Sequence, residues 1–110
     1  AIDKFITNLK KIRKTSYERE RTFLIIDSDR TSLYNQTPLV SNSFYQTMRR
    51  KIIEEANKNG FKVIDMEPIF RDDYSQKKIQ FNSLYDGHWD EYGHKKVSDA
   101  IINEIDKFRW

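Results

Sequence analysis

Asp86-Gly87-His88, followed by Trp89 and by Gly93-His94, sets a carboxylate and an imidazole one residue apart, just ahead of a helical stretch. A carboxylate that accepts a hydrogen bond from one imidazole nitrogen fixes the tautomer and leaves the other nitrogen free to deprotonate a nucleophile. A turn across Gly87 would bring the two side chains together. The pair would also suffice merely to hold a turn. As chemistry it is the general-base half of acyl transfer, and it needs a nucleophile. Ser28 is the candidate by position, because Ile26-Asp27-Ser28-Asp29 puts a serine at the end of an apolar strand, where α/β enzymes commonly carry one. Its flanks argue against that role. No glycine permits a strained turn, and Asp27 and Asp29 would oppose oxyanion charge unless they point away. A loop or capping role is the simpler reading of Ser28.

Asp86, His88, Asp90 and His94 also include ligand types for zinc or manganese. Their spacing matches no metal motif, so neither a metal nor another cofactor is expected, and His94 is read as packing or capping near the helix start. Trp89 and Tyr92 continue the apolar face of that helix and read as core aromatics.

The elements that must position these residues follow from periodicity. Ile2, Phe5, Ile6, Leu9 and Ile12 recur at helical spacing, which predicts an amphipathic helix over 3–16 with a solvated basic face. A charged break, Tyr17 to Arg21, precedes Thr22 to Asp27, a short apolar run expected to form a strand buried on both faces. Residues 28–41, rich in Ser, Asp, Thr, Asn and Gln with Pro38, read as a long loop leaving that strand, a place where active sites are often lined. Ser43 and Gln46 have the form of a capping box, and Phe44, Met48, Ile52 and Ala56 make the stripe of a second helix ending at Asn59-Gly60. Phe61 to Met66 is the second strand. Pro68 and the polar run Arg71 to Lys78 then predict an extended loop, with Asp72, Asp73, Lys77 and Lys78 solvated. Asp90 caps a last helix whose apolar face is Tyr92, Val97, Ala100, Ile101, Ile105 and Phe108, with Gly93 allowing close approach to the sheet.

The order α-β-α-β-α predicts an α/β fold with a short parallel sheet. Two strands are too few for a well-covered sheet. Either Ile79 to Leu84 adds an edge strand, or another chain or further polypeptide completes the sheet.

The chain has 110 residues, enough for one domain spanning 1–110. Residues 1–21 hold seven Lys/Arg against three Asp/Glu, a balance of +4 that leaves −1 for the remainder of a chain of net +3. That basicity lacks interleaved aromatics or an RNA-binding signature, so nucleic acid is not expected as a partner. No apolar run approaches the roughly 20 residues that span a bilayer, and no membrane insertion is expected. The absence of cysteine excludes a disulfide framework, a thiolate nucleophile and Cys-ligated zinc without fixing a compartment. Because the chain begins with Ala rather than Met, it reads as a processed product or an excised portion.

Gly60-Phe61-Lys62-Val63-Ile64-Asp65, a loop, and then Leu84-Tyr85-Asp86-Gly87-His88-Trp89-Asp90-Glu91-Tyr92-Gly93-His94 with its apolar helix resemble the Asp/His block of SGNH (GDSL-type) hydrolases. Phe23 to Asp27 followed by Arg30-Thr31-Ser32-Leu33-Tyr34 is similar to the preceding strand and loop in SGNH-like esterases and related polysaccharide O-acetyltransferases. The likeness runs roughly from Phe23 to Ile105, and only the Asp/His block is specific. It implies a flavodoxin-like three-layer α/β/α domain in which Asp86 orients His88, His88 is general base toward a serine, and Trp89 braces the loop against the helix. The single residue between Asp86 and His88 is closer to the acetyltransferase-type relatives than to the esterases. No Gly-Asp-Ser block and no Gly or Asn oxyanion block is present, so the resemblance implies a serine outside these residues, acting on acyl esters such as those of carbohydrates. It also favours an extracytoplasmic setting. From a different class, the chain reads as a noncatalytic interaction or assembly module that keeps the scaffold, pairing as a homo-oligomer through an unfinished sheet edge or associating with the rest of a larger domain.

Overall fold

A computed structural model of the chain describes residues 2–40 and 42–108, with side chains as far as residue 107. The described chain is α/β. Its elements are α1 (Ile2–Ile12), α2 (Ser16–Glu20), β1 (Phe23–Ile26), α3 (Arg30–Tyr34), α4 (Phe44–Lys58), β2 (Lys62–Asp65), α5 (Met66–Lys77) and α6 (Glu91–Phe108).

The two strands pair in parallel, Phe23 opposite Lys62 through Ile26 opposite Asp65, with α4 in the crossover between them. Side chains along a strand alternate between faces, and here they feed two separate clusters. Phe23, Ile25 and Ile64 join Leu33, Met66, Phe70, Phe81, Val97 and Ala100. Leu24 and Val63 join Ile2, Ile6, Ala56 and Phe61. All four residues of β1 are only half-buried, less than a strand covered on both faces requires, because β2 is the one strand beside it among the described residues. For the same reason Phe5, expected in the core, is exposed beside β1, and Ile12 and Phe44 are exposed too.

Three stretches expected to be irregular are helical. Tyr17 to Arg21 falls in and after α2, which Thr15 opens with a complete capping box: Thr15 Oγ1 accepts from the Glu18 amide at 3.1 Å and Glu18 Oε1 from the Thr15 amide at 3.1 Å. Within 28–41, Asp29 caps α3 by accepting from the Ser32 amide. Past Asp65, which accepts from the Glu67 amide at 3.1 Å, the chain enters α5 directly. Pro68 is the third residue of that helix, where an N–H would have no intrahelical partner, so it breaks nothing. By contrast, Ser43 caps α4 through the Gln46 amide, but the Gln46 side chain accepts from Arg49 at 3.2 Å, so only half of the expected box forms. Ile79 to Leu84 adds no strand to the sheet. The segment makes a single antiparallel bridge, Asn82 with Trp89.

Asp73 is not a solvated loop residue. It sits in α5 with 8% of its surface exposed and takes the Tyr92 hydroxyl at 2.6 Å, Lys96 Nζ at 2.8 Å and Lys77 Nζ at 3.4 Å, tying α5 to α6. Burial alone would raise its pKa, but the hydrogen bonds from Lys96 and Tyr92 and the two ammonium charges outweigh that and hold it below the usual carboxylate value. Donating to Asp73 pushes Tyr92 up to about 12. At the start of α6 the Asp90 carboxylate accepts from the Gly93 amide at 2.9 Å, as a cap should. A Cβ on Gly93 would lie 2.9 Å from both the Phe81 carbonyl oxygen and Trp89 Cβ, so the close approach there is to the loop before α6 and not, as expected, to the sheet. Ile105 is exposed, and the Phe108 side chain, expected on the same face, lies outside the described residues. No helix among the described residues is long and apolar enough to cross a membrane.

Two predictions follow from these contacts. Helix propensity alone would favour Gly93→Ala by about 1 kcal/mol, yet the clash with a backbone oxygen reverses the sign. The variant should lose about 1–3 kcal/mol in urea unfolding, whereas Gly87→Ala, with nothing within 4 Å of the added carbon, should shift the midpoint little. Because the unfolded state holds more protons on Asp73 than the native state does, its contribution is complete above the unfolded value near 3.8 and is lost as pH falls through the lower native value. The urea midpoint should therefore drop between about pH 6 and about pH 3 in wild type and drop less in Asp73→Asn.

Candidate active site

The carboxyl ends of β1 and β2 lie side by side, and the polar residues that follow each strand converge there. In open α/β sheets this edge is where ligands bind. Asp27, immediately past β1, is its centre. Its Oδ1 accepts from the Ser28 amide at 2.7 Å and from the Trp89 indole N–H at 3.3 Å, and its Oδ2 takes Arg30 at 2.5 Å. Arg30 also donates to the Gly87 carbonyl. The neighbouring edge of β2 is equally engaged: Glu67 accepts from the Asp29 amide at 2.8 Å and from Arg71 at 2.6 Å, and Asp65 pairs with Arg49. Tyr45 donates to the Asp27 carbonyl at 2.6 Å, and burial, then the Glu67 charge, raises its pKa.

The Asp86 and His88 side chains meet. His88 Nδ1 lies 3.1 Å from Asp86 Oδ2, and Asp86 Oδ1 accepts the His88 amide at 2.9 Å. A carboxylate can only accept, so Nδ1 carries the proton and Nε2 is the free acceptor. The His88 amide, then its imidazole, and also the Ser83 hydroxyl hold the Asp86 carboxyl below its ordinary value. The pair is open to solvent: the His88 side chain is 85% exposed and Asp86 52%. Among the described residues no side chain hydrogen-bonds to Nε2.

Ser28 lies at the same edge but is buried, and its Oγ is 3.5 Å from Asp27 Oδ1, the outer limit for a hydrogen bond. Its hydrogen bonds are with Asp27, and none joins it to His88. The charge that Asp27 would bring against an oxyanion is taken up by Arg30. Asp90 is spent as the α6 cap, and His94 meets the Trp89 ring edge-on at 5.5 Å, the packing role expected of it. Among the described residues no group of three or more His, Asp or Glu is placed to hold a metal ion.

Aromatic side chains support the loop from beneath. Phe81 stacks on Phe70 at 3.9 Å, and Tyr34 meets Phe81 at 5.4 Å and Tyr74 at 5.0 Å. The Tyr34 hydroxyl accepts from the Phe81 amide at 3.1 Å and donates to Asn82, and burial raises its pKa. From there Ser83 donates its amide to the His88 carbonyl at 2.8 Å and Asp90 donates to Phe81 at 2.8 Å, closing the loop at its foot.

Comparison with family models, with curated proteins and with solved structures finds no match to this chain. The site must be read from its own geometry. The residues that sequence reasoning did not single out are Asp27 as a shared acceptor, Arg30 as a bridge and Tyr34 as the support of the loop. The signal available was that Asp27 closes the apolar strand run with Arg30 three residues on.

Tyr34→Phe should strand the buried Phe81 amide and cost about 1–3 kcal/mol. Hydrogen exchange of that amide should accelerate beyond what the global loss of stability accounts for, with α1 and α4 amides following the global change only.

Proposed function

We propose that this chain is the Asp/His-bearing portion of an SGNH-type ester hydrolase or O-acyltransferase that acts on acyl esters, those of carbohydrates included. The observation that carries the reading is the Asp86–His88 contact at 3.1 Å, which leaves Nε2 free and exposed beside the carboxyl edge of two parallel strands. The serine comes from outside these 110 residues. Its oxygen attacks the ester carbonyl while His88 Nε2 takes its proton. The same proton then goes to the departing alcohol oxygen, and Asp86 stabilises the imidazolium between the two steps. In this reading the two strands belong to the parallel sheet of a larger flavodoxin-like three-layer α/β/α domain. Support comes from their parallel pairing, the helical crossover and the delivery of alternate side chains to two clusters.

A rival reading is a noncatalytic assembly module. It is favoured by the groove along β1, lined by Phe5, Phe23, Ile25 and Ile52, which leaves apolar surface open beside an edge strand.

The test is acyl transfer from p-nitrophenyl acetate to added trifluoroethanol, which stands in for the absent serine. The chain should accelerate it, His88→Ala should abolish the gain, and Asp86→Asn should lower it about tenfold or more. Ser28→Ala should leave it unchanged. Equal rates for wild type and Asp86→Asn would show a lone surface imidazole and sink the dyad. Loss in both the Ser28 and His88 variants would instead make Ser28 the nucleophile. Sedimentation in the same buffer reads the rival: a stable oligomer without His88-dependent activity supports it.

A further inference from the structure

We infer that Asp27 and Arg30 form a clamp that positions the Asp86–His88 pair, an assignment that rests on the dyad reading above. A base on a solvent-exposed loop is effective only if its rotamer and tautomer are held before the substrate arrives. Within the loop, the Ser83 amide on the His88 carbonyl fixes the foot, but the tip supplies little of that restraint. Leu84 and Tyr85 at its tip are each 94% exposed, and nothing lies within 4 Å of where a Cβ on Gly87 would sit. The rest of the restraint comes from the end of β1. Arg30 donates to the Gly87 carbonyl, one residue before His88, and the Trp89 indole, one residue after it, donates to Asp27 Oδ1. The two arms are joined, because Arg30 also donates to Asp27 Oδ2 at 2.5 Å. One carboxylate therefore holds both neighbours of His88 through a planar fork and a rigid ring.

Further contacts keep the clamp rigid. The Arg30 guanidinium lies 5.5 Å from the Phe81 ring centroid, its side chain is mostly covered, and Asp27 is held from behind by Tyr45 on its carbonyl and by its own bond to the Ser28 amide. With Gly87 pinned between Asp86 and His88, the chain must turn at that residue, and the turn brings Oδ2 to Nδ1. Arg30 and Asp27 touch neither nucleophile nor substrate in this assignment. They act through His88.

The readout is the tautomer of the neutral His88 imidazole, measured by nitrogen NMR on the labelled chain above its titration, with His94, the second of two histidines, as internal reference. Wild type should be mainly Nδ1–H, because Asp86 accepts there, whereas free histidine prefers Nε2–H. Asp86→Asn should restore the free preference. Arg30→Gln and Asp27→Asn should each at least halve the Nδ1–H excess while α6 amide shifts stay in place, and Arg30→Lys, which keeps the charge but not the planar fork, should fall between. Two clamp variants of different chemistry guard against one failing to fold. A wild-type tautomer that ignores Asp86→Asn overturns the dyad and the clamp with it. A tautomer that responds to Asp86→Asn but not to Arg30→Gln or Asp27→Asn overturns the clamp and leaves the dyad standing.

Discussion

A single carboxylate, Asp27, joins parts of the chain that are far apart in sequence. It is the first residue past β1, and it accepts from the Ser28 amide, from Arg30 at the start of α3 and from Trp89 just before α6. Water reaches part of this carboxylate, and on its covered side the backbone, the indole and a guanidinium occupy its lone pairs and balance its charge. Removing any one donor would leave part of that carboxylate's charge or lone pairs unmet, so the carboxylate ties the strand end, the short helix and the loop before α6 together. The Asp86–His88 contact depends on that tie for its place, and the aromatic stack of Phe70, Phe81 and Trp89 lies beneath it.

The legibility of the sequence tracks how each element earns its stability. Both strands, α4 and α6 were readable because they bury apolar side chains at regular spacing, and Asp90 carried its role openly, while Gly93 signalled a close approach, though to the loop before α6 rather than to the sheet. The helix α5 was not, because the positions it buries include Glu67 and Asp73, charged residues that make sense only beside Arg71, Lys96 and Tyr92. Those partners are close in sequence for Glu67 and distant for Asp73, and a periodicity of apolar types does not register either. Likewise α2 is a five-residue helix opened by the Thr15 cap with no buried residue, and α3, capped by Asp29, buries Leu33 and packs Tyr34 in only five residues, too few for a periodic stripe to show. Phe44 shows the opposite failure: it fits the stripe of α4 and yet is exposed, because nothing among the described residues packs over that end.

For the site, the spacing Asp86-Gly87-His88 forecast a contact that does form, and His94 packs on Trp89 rather than ligating. The sequence could not say that the pair would stand in open solvent, nor that its supports would come from residues some sixty positions earlier. Sequence spacing reports who can meet locally. The tertiary fold decides which carboxylate holds the meeting in place.

The loop that carries the pair is closed at its foot, by the Ser83 amide on the His88 carbonyl and by the bridge between Asn82 and Trp89, while its tip at Leu84 and Tyr85 touches little. Closure entropy grows slowly with loop length, by only about 0.6 kcal/mol for each doubling. A tip of that kind can be lengthened, shortened or rewritten with small energetic consequence, while the imidazole at the foot stays where β1 and α6 hold it. The architecture thus separates a foot that the fold pins from a tip that is free to diverge, with the boundary between them falling inside a span of six residues, from Ser83 to His88.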